Sequence, residues 1–228
     1  MKYISIDIET SGLDFEKNQI LSIGAIIEDT EKKLLFDELP KFHVGILRQD
    51  ITGSLFAINL NRDLIETLVE YQTAKSQDEK NDIVHMTGMQ FLKEEDVVEA
   101  FHDFLYENGL ASVSSLDTPM KVINGKSYPI LTSRMTPAQI NVAGKNFGTF
   151  DKLFLERLPR WKQAIRIRQR IIDPGVYFID WKDDDSVPSL DLCKERAGLK
   201  GKVTHNALED AWDVIELLRK NSKKKEYH

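Results

Sequence analysis

One cysteine in 228 residues, Cys193, excludes an internal disulfide and fits a reducing compartment. It reads as a small apolar helix residue rather than a reactive thiol. No Cys/His set supports a zinc site, and no apolar run approaches the ~20 residues needed to cross a bilayer. The first strand pattern begins at Lys2, which leaves no room for a signal or transit peptide. A cytoplasmic location without a membrane partner is therefore expected. Internal repeats and low-complexity tracts are absent too.

What is present is enough apolar side chain for a real core. Hydrophobic residues make up 41% of the sequence and charged residues 30%, the balance of a soluble globular protein. The length suits one domain over residues 1–228. A net charge of −6 argues against indiscriminate polyanion binding, yet it averages two unlike halves. Residues 1–110 carry 10 Lys/Arg against 22 Asp/Glu, a net of −12, whereas residues 111–228 carry 21 against 15, a net of +6. The basic residues gather in 145–170, where Lys152, Arg157, Arg160, Lys162, Arg166, Arg168 and Arg170 meet few acids. Such a cluster steers a polyanion, or is simply a solvated helix face.

Lys2–Asp14 (KYISIDIETSGLD) alternates Ile4, Ile6 and Ile8 with Ser5, Asp7 and Glu9, the period of a β-strand. Asp7 and Glu9 then share a face, and two like charges side by side repel unless a cation intervenes. Taken alone, Asp-x-Glu reads equally well as an exposed strand end.

Along the chain, Gln19–Ile27 predicts a more fully buried strand, and Leu34–Asp37 and Phe42–Leu47 predict further strands in an antiparallel meander. Leu55–Gln72 has helical spacing, Thr73–Asp82 reads as loop or frayed helix, and Asp96–Tyr106 is an amphipathic helix. Residues 111–139 read as an insertion, with a β-hairpin around 120–132 turning at Asn124-Gly125. Gln139–Ala143 predicts a strand, Thr149 onward a helix with Phe150, Leu153, Phe154 and Leu158 on one stripe, and Arg170–Asp173 a short strand stopped by Pro174-Gly175. Ser189 suits the N-cap and Gly198 the stop of a helix over Leu190–Ala197. Residues 220–228 are expected to be a mobile basic tail.

The last helix is predicted from about Asn206 to Arg219, with Ala207, Ala211, Val214, Ile215 and Leu218 as its apolar face. Asp210 falls at the edge of that face, where burial without a partner is costly. His205 precedes the helix; taken singly it is a loop histidine. Asp151, between Phe150 and Leu153-Phe154, also lies beside a buried stripe. Asp7, Glu9, Asp151 and Asp210 thus form an oxygen donor set suited to Mg²⁺ or Mn²⁺, and a pair of such ions supports phosphodiester hydrolysis.

DIETSGLD (7–14), GKNFGTFDKLFL (144–155) and HNALED (205–210), with SLDLCKERAGL (189–199) ahead of the third, resemble the DEDDh branch of the DnaQ-like 3′–5′ exonuclease superfamily. The His-x4-Asp spacing separates that branch from the tyrosine branch. The resemblance implies an α/β, ribonuclease H-like mixed sheet flanked by helices. It also implies hydrolysis from the 3′ end of single-stranded nucleic acid, releasing nucleoside 5′-monophosphates. By it, Asp7, Glu9 and Asp210 would ligate one of two divalent cations, Mg²⁺ or Mn²⁺. Asp7 would bridge to the second, held by Asp151 partly through water, and His205 would be the general base. Thr10, Gly12 and Leu13 would cradle the 3′-terminal nucleotide, with Leu13 against a base, and Asn146 would help. Asn146 stands five residues before Asp151, as in oligoribonuclease, and not four as in proofreading subunits, so 3′ ends of DNA and of RNA both stay open. A polymerase or replication partner is a further implied candidate. The rival readings are a ribonuclease H-type endonuclease, which leaves His205 unexplained, and a catalytically idle nucleic-acid-binding or polymerase-partner module. Residues 42–61 and the hairpin match nothing in the family pattern.

Overall fold

Strand β1 (Lys2–Thr10) buries Ile4, Ile6 and Ile8 on one face and turns Ser5, Asp7 and Glu9 to the other. This computed structural model describes residues 1–32, 34–112, 120–129 and 137–223. Strands β2 (Ile20–Asp29) and β3 (Lys41–Leu47) follow β1 as an antiparallel meander. Three helices, α1 (Leu55–Leu60), α2 (Arg62–Thr73) and α3 (Gln77–Thr87), then lead to β4 (Gln90–Lys93), which joins β3 in parallel. Helix α4 (Glu94–Glu107) precedes the hairpin of β5 (Met120–Ile123) and β6 (Lys126–Pro129).

Two short strands follow, β7 (Ala138–Ile140) and β8 (Val142–Ala143), then helices α5 (Asp151–Leu155) and α6 (Trp161–Ala164). Strand β9 (Ile165–Ile167) pairs with β7, and helices α7 (Leu190–Ala197) and α8 (Ala207–Lys223) complete the described chain. The main sheet has the order β4-β3-β2-β1-β8, with β8 parallel to β1. The architecture is the expected α/β one, a mixed sheet flanked by helices. Among the described residues no helix is long and apolar enough to cross a membrane.

The sheet separates two apolar layers. The isoleucine face of β1 packs with Phe42, Phe101, Phe104, Phe154 and Trp161, and Trp161 stacks on Phe101 with centroids 5.4 Å apart. The opposite face, where Asp7 and Glu9 stand, is covered by α8 through Ala211, Val214 and Ile215 against Tyr3, Ile26 and Ala143. Each such buried side chain stabilises the fold by about 1.5–3 kcal/mol. The hairpin turns at Asn124 and Gly125, both at positive φ, and buries Ile123 and Tyr128 in the first layer. It is a packed part of the domain. Residues 130–132 of the expected hairpin lie outside the described residues.

Several local expectations are corrected. Leu34–Asp37 is not a strand; Phe36–Glu38 forms a 3₁₀ turn closed by the Glu38 carboxylate accepting the Leu35 N–H. The polar stretch after Thr73 becomes α3, whose N-cap Ser76 accepts from Glu79 and whose apolar anchor is Ile83. The helix expected from Thr149 through Leu158 ends at Leu155, because Pro159 disfavours helical geometry in the residue before it. Gln139–Ala143 is split at Asn141 into β7 and β8, which pair with different partners. Arg170–Asp173 contributes only the bridge between Ala143 and Ile172, while the strand itself is β9. Residues 220–223 continue α8, and the rest of the expected tail, 224–228, lies outside the described residues.

Candidate active site

The carboxylate face of β1 meets α8 because Gly24 lies beside it. Gly24 is in register with Asp7, and a Cβ there would come within 2.2 Å of the main-chain carbon of Ala207. Bare backbone lets the first turn of α8 lie directly on the sheet. Asn206 caps that turn, its Oδ1 accepting from the N–H groups of Leu208 and Glu209 at 3.1 and 3.3 Å. Asp210 thereby reaches Glu9: Glu9, His205 and Asp210 each offer a ligand atom, and these atoms lie within 4.8 Å of one another.

Asp151 arrives from the other side of β1. A Cβ on Gly144 would be 2.8 Å from the Ile6 carbonyl oxygen, so the 144–150 segment also runs close against the strand. The Ile8 N–H donates to Asp151 Oδ1 at 3.2 Å and holds that carboxylate beside Asp7. Glu9, Asp151 and Asp210 are buried, and Asp7 is half-buried.

Crowding and burial penalise the charged forms. Asp7 is pushed well above the usual carboxylate range by loss of solvent first, then by Asp151, Glu9 and Asp210. Burial and the neighbouring Asp210 raise Glu9 to about 8. Burial raises Asp151 to about 7 against the pull of the Ile8 N–H. Asp210 is also raised to about 7, by burial and by Asp213. Its Oδ1 is buried with no hydrogen-bond partner among the described residues. Four converging carboxylates, an orphaned oxygen and one imidazole fit a divalent cation: it would satisfy the orphan and remove the repulsion.

His205 is exposed and takes a left-handed backbone at φ 53, rare for a residue with a Cβ. Helix α7 anchors its segment. Asp191 accepts from the Val203 N–H at 2.9 Å, and Lys194 donates to the Lys202 carbonyl at 3.4 Å and to Asp213 on α8 at 2.5 Å.

Of the residues expected at the 3′ nucleotide, Thr10 is buried and its hydroxyl donates to the Gly12 carbonyl at 2.8 Å, closing the turn after β1. Gly12 lies against the Asn18 side chain, and Leu13 stands 85% exposed beyond it. Asn146 is exposed, its Oδ1 accepting from Lys145 Nζ at 2.9 Å and its N–H donating to Asp173 at 3.0 Å.

Two supports escape sequence reasoning. Buried Asn61 donates to the carbonyls of Thr10 and Ala57, both at 3.2 Å, and lies close enough to Glu9 to favour its charged form. Ser11 donates to the Thr52 carbonyl at 2.6 Å, joining the turn to residues 50–54. An Asn between two helical runs is the one local signal for Asn61; nothing local marks Ser11.

The basic cluster is corrected in part. Lys152 and Lys162 pair with Glu156, Arg160 with Glu99 and Lys145 with Asp173, while Arg157 donates to the Phe15 carbonyl. Of the named residues, Arg157, Arg166, Arg168 and Arg170 are exposed without an ion-pair partner among the described residues, and Arg157 is tied down by the Phe15 carbonyl.

No family model and no curated protein sequence matches the chain. Among solved structures it is similar to Exonuclease I of E. coli in complex with a dT13 oligonucleotide, at 14% identity and a TM-score of 0.54, over 99% of this chain and 43% of the other. A zinc-bound form of the E. coli ExoI–ssDNA complex matches at 13% identity and 0.54, over 100% and 41%. The moderately thermophilic Exonuclease I of Methylocaldum szegediense matches at 15% identity and 0.54, over 99% and 41%. The chain thus spans about two fifths of the length of these proteins. At such identities the likeness shows the fold: a ribonuclease H-like α/β domain shared with exonucleases.

Proposed function

We propose that the protein is a divalent-metal-dependent 3′–5′ exonuclease that releases nucleoside 5′-monophosphates from single-stranded nucleic acid. The observation that carries this reading is the convergence of Glu9, His205 and Asp210 within 4.8 Å beside Asp7 and Asp151, on a fold shared with exonucleases. Asp7, Glu9, Asp151 and Asp210 are the residues that would hold Mg²⁺ or Mn²⁺. Bound there, such ions supply Lewis-acid activation of water and neutralise charge on the scissile phosphate.

The chain's own residues supply the rest. His205, exposed at the mouth of the cluster, accepts the proton of the attacking water on an imidazole nitrogen. Thr10 and Gly12 form the turn that seats the terminal nucleotide, and exposed Leu13 offers apolar surface to its base. Asn146, held by its N–H to Asp173, would assist in holding the strand. DNA is the first substrate to test, since the E. coli neighbours hold dT13 and single-stranded DNA.

The test is digestion of a single-stranded oligodeoxynucleotide with Mg²⁺ or Mn²⁺, with the same RNA in parallel. A free 3′-OH should give nucleoside 5′-monophosphates, a 3′-phosphate should block digestion, and a 5′ modification should not. Cleavage of a circular single strand, or undiminished turnover in excess chelator, would overturn the assignment.

A further inference from the structure

Beyond β8, Arg166, Arg168 and Arg170 are exposed with no ion-pair partner among the described residues. Strand β9 runs parallel to β7 with Arg166 opposite Gln139, and the chain then continues beside β8. The Arg168 N–H donates to Ile140 and the Ile172 N–H to Val142, both at 2.9 Å. The segment ends at Asp173, whose carboxylate accepts from the N–H of Asn146, five residues before Asp151. Ile165 and Ile167 pack inward, so the alternation along β9 turns Arg166 and Arg168 to solvent; the chain bends at Gln169, and Arg170 beyond it is also exposed. Among the described residues the outer edge of β9 pairs with no further strand.

We propose that Arg166, Arg168 and Arg170 form a phosphate track for the 5′ portion of a single-stranded polynucleotide whose 3′ end occupies the catalytic cluster. This rests on the nuclease reading above and deepens it. Arg166 and Arg168, two residues apart in the paired stretch, stand ~6.6 Å apart, close to the separation of successive phosphates along an extended strand, and Arg170 follows beyond the bend at Gln169. Arg166 faces Gln139 and Ile172 faces Ala143, four strand positions further on, so Arg166 lies roughly 13 Å from the Asp173 end of the segment. A dinucleotide at the cluster cannot span that distance, and a longer strand can. Of the other basic residues of 145–162, Lys145, Lys152, Arg160 and Lys162 have acidic partners, and Arg157 is held by the Phe15 carbonyl. This edge is therefore where the positive half of the molecule meets a polyanion, despite the net charge of −6.

The experiment uses the full chain and the triple variant Arg166→Gln, Arg168→Gln, Arg170→Gln. Affinity for a single-stranded 20-mer is measured in excess chelator over a range of salt, and turnover of a dinucleotide is measured with Mg²⁺. Each phosphate contact on a single strand contributes about 0.7 to the slope of log K against log salt. The variant should lose about 2 from that slope, bind the 20-mer about 10²-fold more weakly at 0.1 M salt, and hydrolyse the dinucleotide at the wild-type rate. An unchanged 20-mer affinity and slope would overturn the track even if hydrolysis is normal. So would polyglutamate binding the edge as tightly as the 20-mer. Failure of the wild type to hydrolyse either substrate would overturn the nuclease reading, while the chelator measurement would still decide the track. Lost dinucleotide turnover in the variant would also count against it, as a general effect on the fold.

Discussion

The Ile8 N–H donates to Asp151 Oδ1 at 3.2 Å, joining a central strand to a helix 143 residues away. This bond needs an oxygen acceptor but not a charge, and that separates two substitutions. Asp151→Asn keeps the acceptor and removes one of four crowded carboxylates, so its metal-free thermal stability should equal or exceed wild type while hydrolysis is lost. Asp151→Ala leaves a buried N–H unpaired, at about 1–3 kcal/mol of stability. Chemical denaturation of both variants in chelator checks this; equal stability for the two would remove the structural role given to the bond.

The raised carboxylates set a pH dependence. The folded protein holds protons on Glu9 up to about 8 and on Asp151 and Asp210 up to about 7, where unfolded carboxylates near 4 have lost them. With more protons bound in the folded state, metal-free stability is greatest at low pH and falls as pH rises through that window. Buried His43 works the other way: burial lowers it to about 4, so it favours the folded state more as pH climbs from there towards 6.5. Burial lowers His102 too. Between pH 6.5 and 8 the carboxylates therefore act alone. Melting temperature in chelator should drop over that interval, and saturating Mg²⁺ or Mn²⁺ should abolish the drop. A flat or rising curve in chelator would contradict the repulsion.

His205 distinguishes a proton acceptor from a ligand. A general base contributes about 10²–10⁴-fold in rate, so His205→Ala and His205→Asn should both slow turnover by that range. Calorimetric Mn²⁺ affinity should change little, because the carboxylates hold the ion. An affinity loss as large as the rate loss would instead make His205, close to Glu9 and Asp210, a ligand.

Gly24→Ala probes the seating of α8 without touching a charged residue. The added methyl meets the backbone of Ala207, and forced overpacking costs about 1–3 kcal/mol. If α8 moves outward, Asp210 leaves Glu9, and displacement of about 1 Å can cost on the order of 10²-fold in rate. A stable, fully active Gly24→Ala protein would show that α8 is not held by this contact.

Where neighbours in sequence decide the outcome, reading the sequence succeeds. The Ser189 side chain accepts from the Leu192 N–H and Gly198 sits at φ 67, so α7 has the bounds its caps dictate. The three motifs name Asp7, Glu9, Asp151, His205 and Asp210 as candidates, and the fold brings Glu9, His205 and Asp210 within 4.8 Å of one another. Where distant residues decide, local pattern runs out. Asn141 divides an apparently continuous strand because its halves find different partners. The Arg160 cluster looks unpaired in sequence because Glu99 lies 61 residues earlier. Asn61 becomes visible only when the carbonyl of Thr10, 51 residues away, is folded onto it.

The seating of α8 on β1 and β2 also orders events during synthesis. Asp7 and Glu9 are made well ahead of the helix that covers them, which begins at Ala207. At about 5–20 residues per second, the gap between them is roughly 10–40 s. For that time the emerging chain carries its carboxylate-bearing strand face without a lid, and Glu9 has neither Asp210 nor His205 beside it. A nascent chain is therefore a scaffold without a reaction centre. On the nuclease reading proposed above, activity would begin only after α8 has docked.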